Sequence, residues 1–221
     1  MTTTTHYVVY ESPSKCVALA AMQRQYIDSL MPWVNNVETM RGVLLVPPVL
    51  YEREIAWYES LAKSKDSQTV FAILIRDSPD GGYRYVGHTG LHKITFPDAR
   101  AVSGTLIGDP AARGKGVGKH AKMLLLHHAF EYEHLRKVSS EVKAFNAASL
   151  GHLVACGYSI IGVRKAHIAY RGSFVDEILL EVHREAFLPL WESYQKTKEV
   201  PVLSEAQKAD VQKVLVQYVE E

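Results

Sequence analysis

The sequence predicts an α/β fold: a mixed, mostly antiparallel sheet of about seven strands flanked by helices, with an extra C-terminal helical tail. Three observations carry this. Strand-like and helix-like runs alternate along the chain. A Pro- and Gly-containing stretch, Ser78-Pro79-Asp80-Gly81-Gly82, joins two strand-like runs with hairpin chemistry. A glycine-rich turn, Arg113-Gly114-Lys115-Gly116-Val117-Gly118, separates an apolar run from a helix-like one.

In chain order, residues 7–10 read as a short strand and residues 15–31 as a helix closed by Pro32. Residues 42–48 form a loop with two prolines, followed by a helix over Tyr51–Lys63. Residues 70–76 and 83–94 are strands of the hairpin, and Pro97-Asp98 turns the chain into a strand over residues 101–107. A long helix over residues 119–133 follows, then a strand over Lys137–Lys143 and a short helix over Ala147–Ala155. Strands near residues 158–163 and 174–182 complete the sheet. Residues 1–183 are expected to form one domain and residues 184–221 a C-terminal helical extension. In the extension, Ser204 with Gln207 has capping-box spacing, and Val211, Val214, Leu215 and Tyr218 form one apolar stripe. That stripe either packs on its own domain or serves as a homodimer contact or a lid.

Composition narrows the function classes. With 25 basic and 24 acidic residues the charge nearly cancels, so no global field favours nucleic acid or an anionic membrane. Cys16 and Cys156 are too few and too far apart for a disulfide framework or a metal site, and a reduced, cytoplasmic protein is expected. No apolar run approaches the ~20 residues that span a bilayer.

The glycine-rich turn is suited to a diphosphate. Alternating glycines let the backbone approach a ligand closely and aim several N–H groups at one point. The following helix adds its N-terminal partial charge, and Arg113, Lys115 and Lys119 add full ones. A Walker loop is excluded, because the residue five before Gly118 is Arg113 and Lys119 is followed by His120. The dinucleotide fingerprint is matched poorly, since Gly114, Gly116 and Gly118 follow a G-x-G-x-G pattern.

What remains, R-x-x-G-x-G, resembles the coenzyme A loop of the GNAT superfamily of acyl-CoA-dependent N-acyltransferases. The segment from Glu141 through Asn146 to Ser149, then Cys156-Gly157-Tyr158, resembles that family's second signature. Its wording is similar to the branch of ribosomal-protein N-terminal and small-molecule amine acetyltransferases. The resemblance implies the GNAT fold and acetyl-CoA as co-substrate, with no metal. It implies transfer of an acetyl group to a primary amine by direct attack, the acceptor being a small-molecule amine, an amino sugar or a protein N-terminus. A non-catalytic acyl-CoA-binding protein is the alternative.

The resemblance also suggests roles. The amides of Lys115, Gly116, Val117 and Gly118 would hold the pyrophosphate, helped by Arg113, Gly114 and Lys119, while Leu106 and Ile107 would offer main-chain contacts to pantetheine. Glu141, five residues before Asn146, is the candidate base; the bland reading is a strand carboxylate paired with Lys143 or Lys137. Asn146 either binds the cofactor amide or an ordered water, or caps the next helix, or both. Many members carry a tyrosine acid seven residues after this Asn, where this chain has Leu153. Ser149, His152 and Tyr158 are the remaining donors nearby, and the acid stays unassigned. Trp33, His88, Tyr170 and Asp176, together with Tyr51 and Trp57, are candidates for the acceptor side or for the core. His88 and His92 share a strand face without a third ligand of suitable spacing, so no metal is expected there.

Overall fold

Eight strands are hydrogen-bonded into one sheet of order β1-β2-β3-β4-β5-β6-β8-β7, and a single pair, β5 with β6, runs parallel. The computed structural model describes residues 5–43, 47–64, 66–78 and 81–215. The strands are β1 (Val8–Glu11), β2 (Val17–Ala21), β3 (Gln68–Ile75), β4 (Arg84–Thr95), β5 (Arg100–Ile107), β6 (Lys137–Lys143), β7 (Ser159–Tyr170) and β8 (Ser173–His183). The helices are α1 (Tyr26–Val34), α2 (Val37–Met40), α3 (Tyr51–Lys63), α4 (Val117–His127), α5 (Ala147–Ala155), α6 (Arg184–Thr197) and α7 (Glu205–Leu215). Among the described residues no helix is long and apolar enough to cross a membrane.

The helices Tyr51–Lys63 and Ala147–Ala155 and the strand Lys137–Lys143 lie where the pattern predicts them. One expectation is corrected. The helix expected over residues 15–31 is two elements: Val17–Ala21 forms β2, hydrogen-bonded on both edges, and α1 begins only at Tyr26. Val17, Ala18, Leu19 and Ala20 are fully buried, and an apolar run of this length reads alike as a buried strand or a buried helix until its neighbours are known. Pro32, expected to stop the helix, lies inside α1, close enough to its end at Val34 that the missing N–H removes few bonds. The second strand explains eight strands where about seven are expected. The predicted long helix shortens to α4 and continues as a π-helical turn over His128–Tyr132. Strand β7 extends past residue 163 to Tyr170, because β8 pairs with it through the polar stretch that carries no apolar alternation.

Two apolar layers cover the sheet. On one face α4, the π-helical turn after it, α5, α6 and α7 bury Leu124, Phe130, Leu150, Phe187, Tyr194 and Val211 against Leu19, Ile73, Val138 and Leu180. On the other, α1 packs Tyr26, Ile27 and Leu30 onto Ala20, Leu74, Tyr85 and Leu106. The helical tail therefore shares the core. The Ser204–Gln207 capping box forms in both directions: the Ser204 amide donates to Gln207 Oε1 at 2.8 Å, and the Gln207 amide to Ser204 Oγ at 3.2 Å. Val211, Val214 and Leu215 pack on the chain's own core, while Tyr218 lies outside the described residues.

The β5–β6 pair positions the site. It is hydrogen-bonded only from Arg100 to Val102 against Lys137 to Ser139, after which β5 continues to Ile107 paired with β4 alone and β6 to Lys143 paired with β8 alone. The two strands separate like the arms of a V.

Candidate active site

A cavity of about 670 Å³ fills this V. Its walls are the free edge of β5, the first turn of α4, the start of α5, and Ser140 and Glu141 of β6. At one end lies the glycine-rich turn. Gly114 and Gly116 have φ of 73° and 77°, left-handed values that glycine adopts without strain, and Gly116 is the N-cap of α4. Among the described residues the amides of Gly114, Lys115, Gly116, Val117 and Gly118 find no protein acceptor, whereas those of Lys119 and His120 close onto the Gly116 carbonyl. A diphosphate meets several free donors and the helix dipole there, so the residues present fit that group.

The three cations flanking the turn are placed differently from one another. Arg113 lines the cavity, and its Nε donates to the carbonyl of Ile107 at 3.0 Å, fastening the end of β5 to the turn and leaving other guanidinium donors for a ligand. Lys119 lines it too, with Nζ donating to the carbonyl of Pro201 at 3.0 Å. Lys115 does not line the cavity. Leu106 and Ile107 both do; Leu106 is buried in the α1-side core and Ile107 half-buried. Beyond Val102 the β5 edge facing β6 has no strand partner, which leaves main-chain groups for an extended ligand.

Across the gap stands Glu141. Its Oε1 lies 3.3 Å from Nη1 of Arg164 on β7, and the same nitrogen is 2.7 Å from Glu177 Oε2. The lysines considered as its partners are engaged elsewhere: Lys137 binds Glu181 at 2.6 Å, and Lys143 donates to the carbonyls of Arg41 and Val43. Asn146 caps α5, its Oδ1 accepting from the Ser149 amide at 3.1 Å, so the capping reading holds. Its Nδ2 faces Gly42, where an added Cβ would come within 2.7 Å. Asn146, Ser149 and Leu153 all line the cavity.

The four acceptor-side candidates do not line it. Trp33 packs against Gly108, leaving no room for a Cβ there, and against Tyr85. His88 sits between Trp57 and Tyr85, and burial pushes its pKa down to about 4, which keeps it neutral at pH 7. Asp176 is buried, accepts from the Ala166 amide at 2.7 Å and pairs with Lys165 at 2.8 Å, pinning the irregularity of β7 between Arg164 and Ile168. Tyr170 packs with its ring tilted 35° to that of Phe145, a cavity residue, at a centroid distance of 4.5 Å, with its hydroxyl buried and unpartnered. Among the described residues no three His, Cys, Asp or Glu side chains could hold a metal ion.

One cavity residue escapes the sequence reading. Lys122 is 1 % exposed, and burial pushes its pKa down to about 8. Its signal is visible afterwards: Ala121, Lys122, Leu125 and Leu126 are among the buried positions of α4, so a lysine interrupts an apolar stripe. His152, weighed as a donor, is pushed down to about 3 by burial and by Lys122 and Lys119, so it is neutral at pH 7 and gives no acid. Its Nε2 is buried without a partner. Burial also pushes the Cys156 thiol up to about 12, which makes it inert.

Comparison with known proteins agrees with this geometry. A family model described as an acetyltransferase (GNAT) domain matches residues 17–159. The alpha/beta-tubulin-N-acetyltransferase 9 of Drosophila melanogaster is 30% identical over 143 residues, covering 61% of this chain and 70% of that protein. Among solved structures, spermidine N-acetyltransferase from Vibrio cholerae, in complex with CoA and spermine, superposes with a TM-score of 0.70 at 17% identity, over 78% of this chain and 98% of that one. Mycobacterium smegmatis RimJ, in complex with CoA-disulfide, gives a TM-score of 0.71 at 16% identity, over 90% and 95% of the two chains. At these identities the structural likeness speaks for the fold.

Proposed function

Because this chain belongs to the GNAT acetyltransferase family, we propose that it is an acyl-CoA-dependent N-acetyltransferase that moves an acetyl group to a primary amine by direct attack. The single observation carrying this is the cavity in the β5–β6 V, with free amides at one end and Glu141 and Asn146 at the other. Acetyl-CoA supplies the activated thioester.

The chain's own residues divide the work. The amides of Gly114 to Gly118, with Arg113, grip the pyrophosphate, and the free edge of β5 at Leu106 and Ile107 holds the pantetheine arm extended. A backbone N–H of that edge polarises the thioester carbonyl. An alkylamine is mostly protonated at pH 7, its pKa lying near ~10, so a base has to take a proton before attack. Glu141 is that base, directly or through a water held with Asn146. The acceptor is a small-molecule amine, an amino sugar or a protein N-terminus; the relatives' names point to a protein, tubulin, and to a small amine, spermidine. Trp33, His88 and Asp176 are enclosed by other elements, which leaves Tyr170, through Phe145, as the acceptor-side candidate nearest the cavity.

The test is calorimetric titration with acetyl-CoA, with Arg113→Glu as control, followed by thiol release against a panel of amines and short peptides. Binding lost in the control, with amine-dependent release that Glu141→Gln lowers by roughly 100-fold or more, supports the reading. Release unchanged in Glu141→Gln removes the base. The ion pair between Arg164 and Glu141, and a leucine at position 153, favour a second reading, an acyl-CoA binder without turnover. Binding without release from any acceptor would select it.

A further inference from the structure

The apex of the V holds a polar chain that the proposed mechanism does not use. Lys122 Nζ donates to Ser103 Oγ at 3.0 Å, Ser103 Oγ lies 2.8 Å from the hydroxyl of Tyr158, and Ser140 Oγ donates to the Ser103 carbonyl at 3.3 Å. Ser103 and Ser140 are the first residues of β5 and β6 beyond their last pair, Val102 with Ser139. The ammonium therefore sits where the strands part, and Ser103, Lys122, Ser140 and Leu153 line the same cavity.

Lys122 lacks what a structural buried lysine requires. An unpaired buried ammonium is costly, and such groups normally face a carboxylate. Here the hydrogen-bond partner is a neutral serine, and the nearest π face is the Tyr158 ring, 5.9 Å away. Among the described residues no carboxylate forms an ion pair with it. A lysine carries three donors, and Ser103 takes one. The unpartnered Nε2 of His152, in the same cavity, is a second buried polar atom awaiting a ligand.

Building on the acetyltransferase reading, we propose that Lys122 is the catalytic acid that meets the departing coenzyme A sulfur, the role that Leu153 leaves open. As the C–N bond to the acetyl carbon forms, the C–S bond breaks and the sulfur keeps its electron pair. Lys122 gives that sulfur a proton, while Glu141 takes one from the amine. Lys122 then recovers a proton from solvent and Glu141 releases two in turn, one taken from the alkylammonium before attack and one from the nitrogen as the C–N bond forms, so for each alkylammonium consumed one proton leaves overall. The leaving thiolate is the anion that the resting site lacks.

Tyr158, the other donor nearby, is held protonated by burial, and its ring packs under the ammonium. The titratable groups that face Lys122 are His92 of β4, His152 and Cys156 at α5, Tyr158, and Lys119 on its own helix. Both imidazoles are shifted toward neutrality and the thiol and phenol toward protonation. With Lys122 pushed down to about 8, a loss of kcat on the alkaline side that disappears in Lys122→Met belongs to Lys122, whereas one that persists belongs to another group such as Lys143.

The first readout needs no turnover: the thiolate absorbance of coenzyme A bound to the full chain is titrated with pH. A cation beside the sulfur lowers the thiol pKa below its free value of about 8.5. We expect that depression in the wild type and its loss in Lys122→Met, with coenzyme A affinity kept within about threefold because methionine preserves the apolar stem. The same variant should lose roughly 100-fold in kcat together with the alkaline limb. A bound thiol that titrates like the free one in the wild type overturns the proposal, even should Lys122→Met fail to fold. So does Lys122→Met with wild-type kcat and limb. Were no acceptor found, the acetyltransferase reading would fail on thiol release, while the titration would still report whether Lys122 meets the sulfur.

Discussion

The hydroxyl of Tyr194 on α6 lies 2.7 Å from Nδ1 of His120 on α4, in a core where Tyr194 is 1 % exposed. The helix that carries the glycine-rich turn is thereby tied to the helical tail. Burial pushes the His120 pKa below its ordinary value, so the ring is neutral and one of its nitrogens pairs with the phenol.

Tyr194→Phe should cost about 1 kcal/mol, the worth of one buried hydrogen bond, and Tyr194→Ala about 3–5 kcal/mol through the cavity it leaves. Urea unfolding measures both. Equal, negligible effects would mean that α6 is an appendage and not part of the core.

Acid should destabilise the fold through histidines buried in neutral form. Their folded pKa values lie below the ordinary 6.5, at about 4 for His88 and about 3 for His152. Between those values and 6.5 the unfolded chain binds more protons, so stability is full above pH 6.5 and falls as pH drops toward the folded pKa. From pH 6.5 to 5 each ring costs about 2 kcal/mol. His152→Leu should remove its share, narrowing the gap between unfolding free energies measured at pH 7 and pH 5. The same gap in variant and wild type would show that His152 is not the origin.

Asn146 performs a capping role that can be separated from its proposed ligand role. Serine is nearly as good an N-cap as asparagine, whereas alanine loses about 1 kcal/mol. Asn146→Ser should therefore unfold like the wild type yet release thiol more slowly, by about tenfold or more. Full activity in Asn146→Ser would reduce the residue to its cap.

Gly116→Ala should weaken acetyl-CoA binding by about tenfold, since a φ of 77° costs a non-glycine residue roughly 1–2 kcal/mol and the turn will relax away from it. Gly151→Ala is the control: its Cβ would meet Leu203 at an ordinary 3.7 Å, and a helical alanine is about 1 kcal/mol better than glycine. Calorimetry on both variants distinguishes a demand of the turn from a general effect of added methyl groups.

Legibility followed the range of the interactions. The turn from Arg113 to Gly118, the capping box of Ser204 and Gln207 and the bounds of Ala147–Ala155 rest on neighbours a few residues apart, and each is found as read. The strand Val17–Ala21 is not, since its conformation is imposed by pairing with Ile75 to Phe71, fifty or more residues away. Glu141 could be picked from its spacing to Asn146. Its partner Arg164 could not, because β7 is joined to β6 only through β8.

The sequence by itself determined the class of the fold, the glycine-rich turn and the family, because local backbone conformation, periodicity and short spacings encode them. Only the tertiary structure decided that Lys122 stands unpaired at the parting of β5 and β6, and that Trp33, His88 and Asp176 are spent on packing and pairing. Burial and electrostatic partnership are set by segments distant in the chain, and they exist only once the sheet has closed.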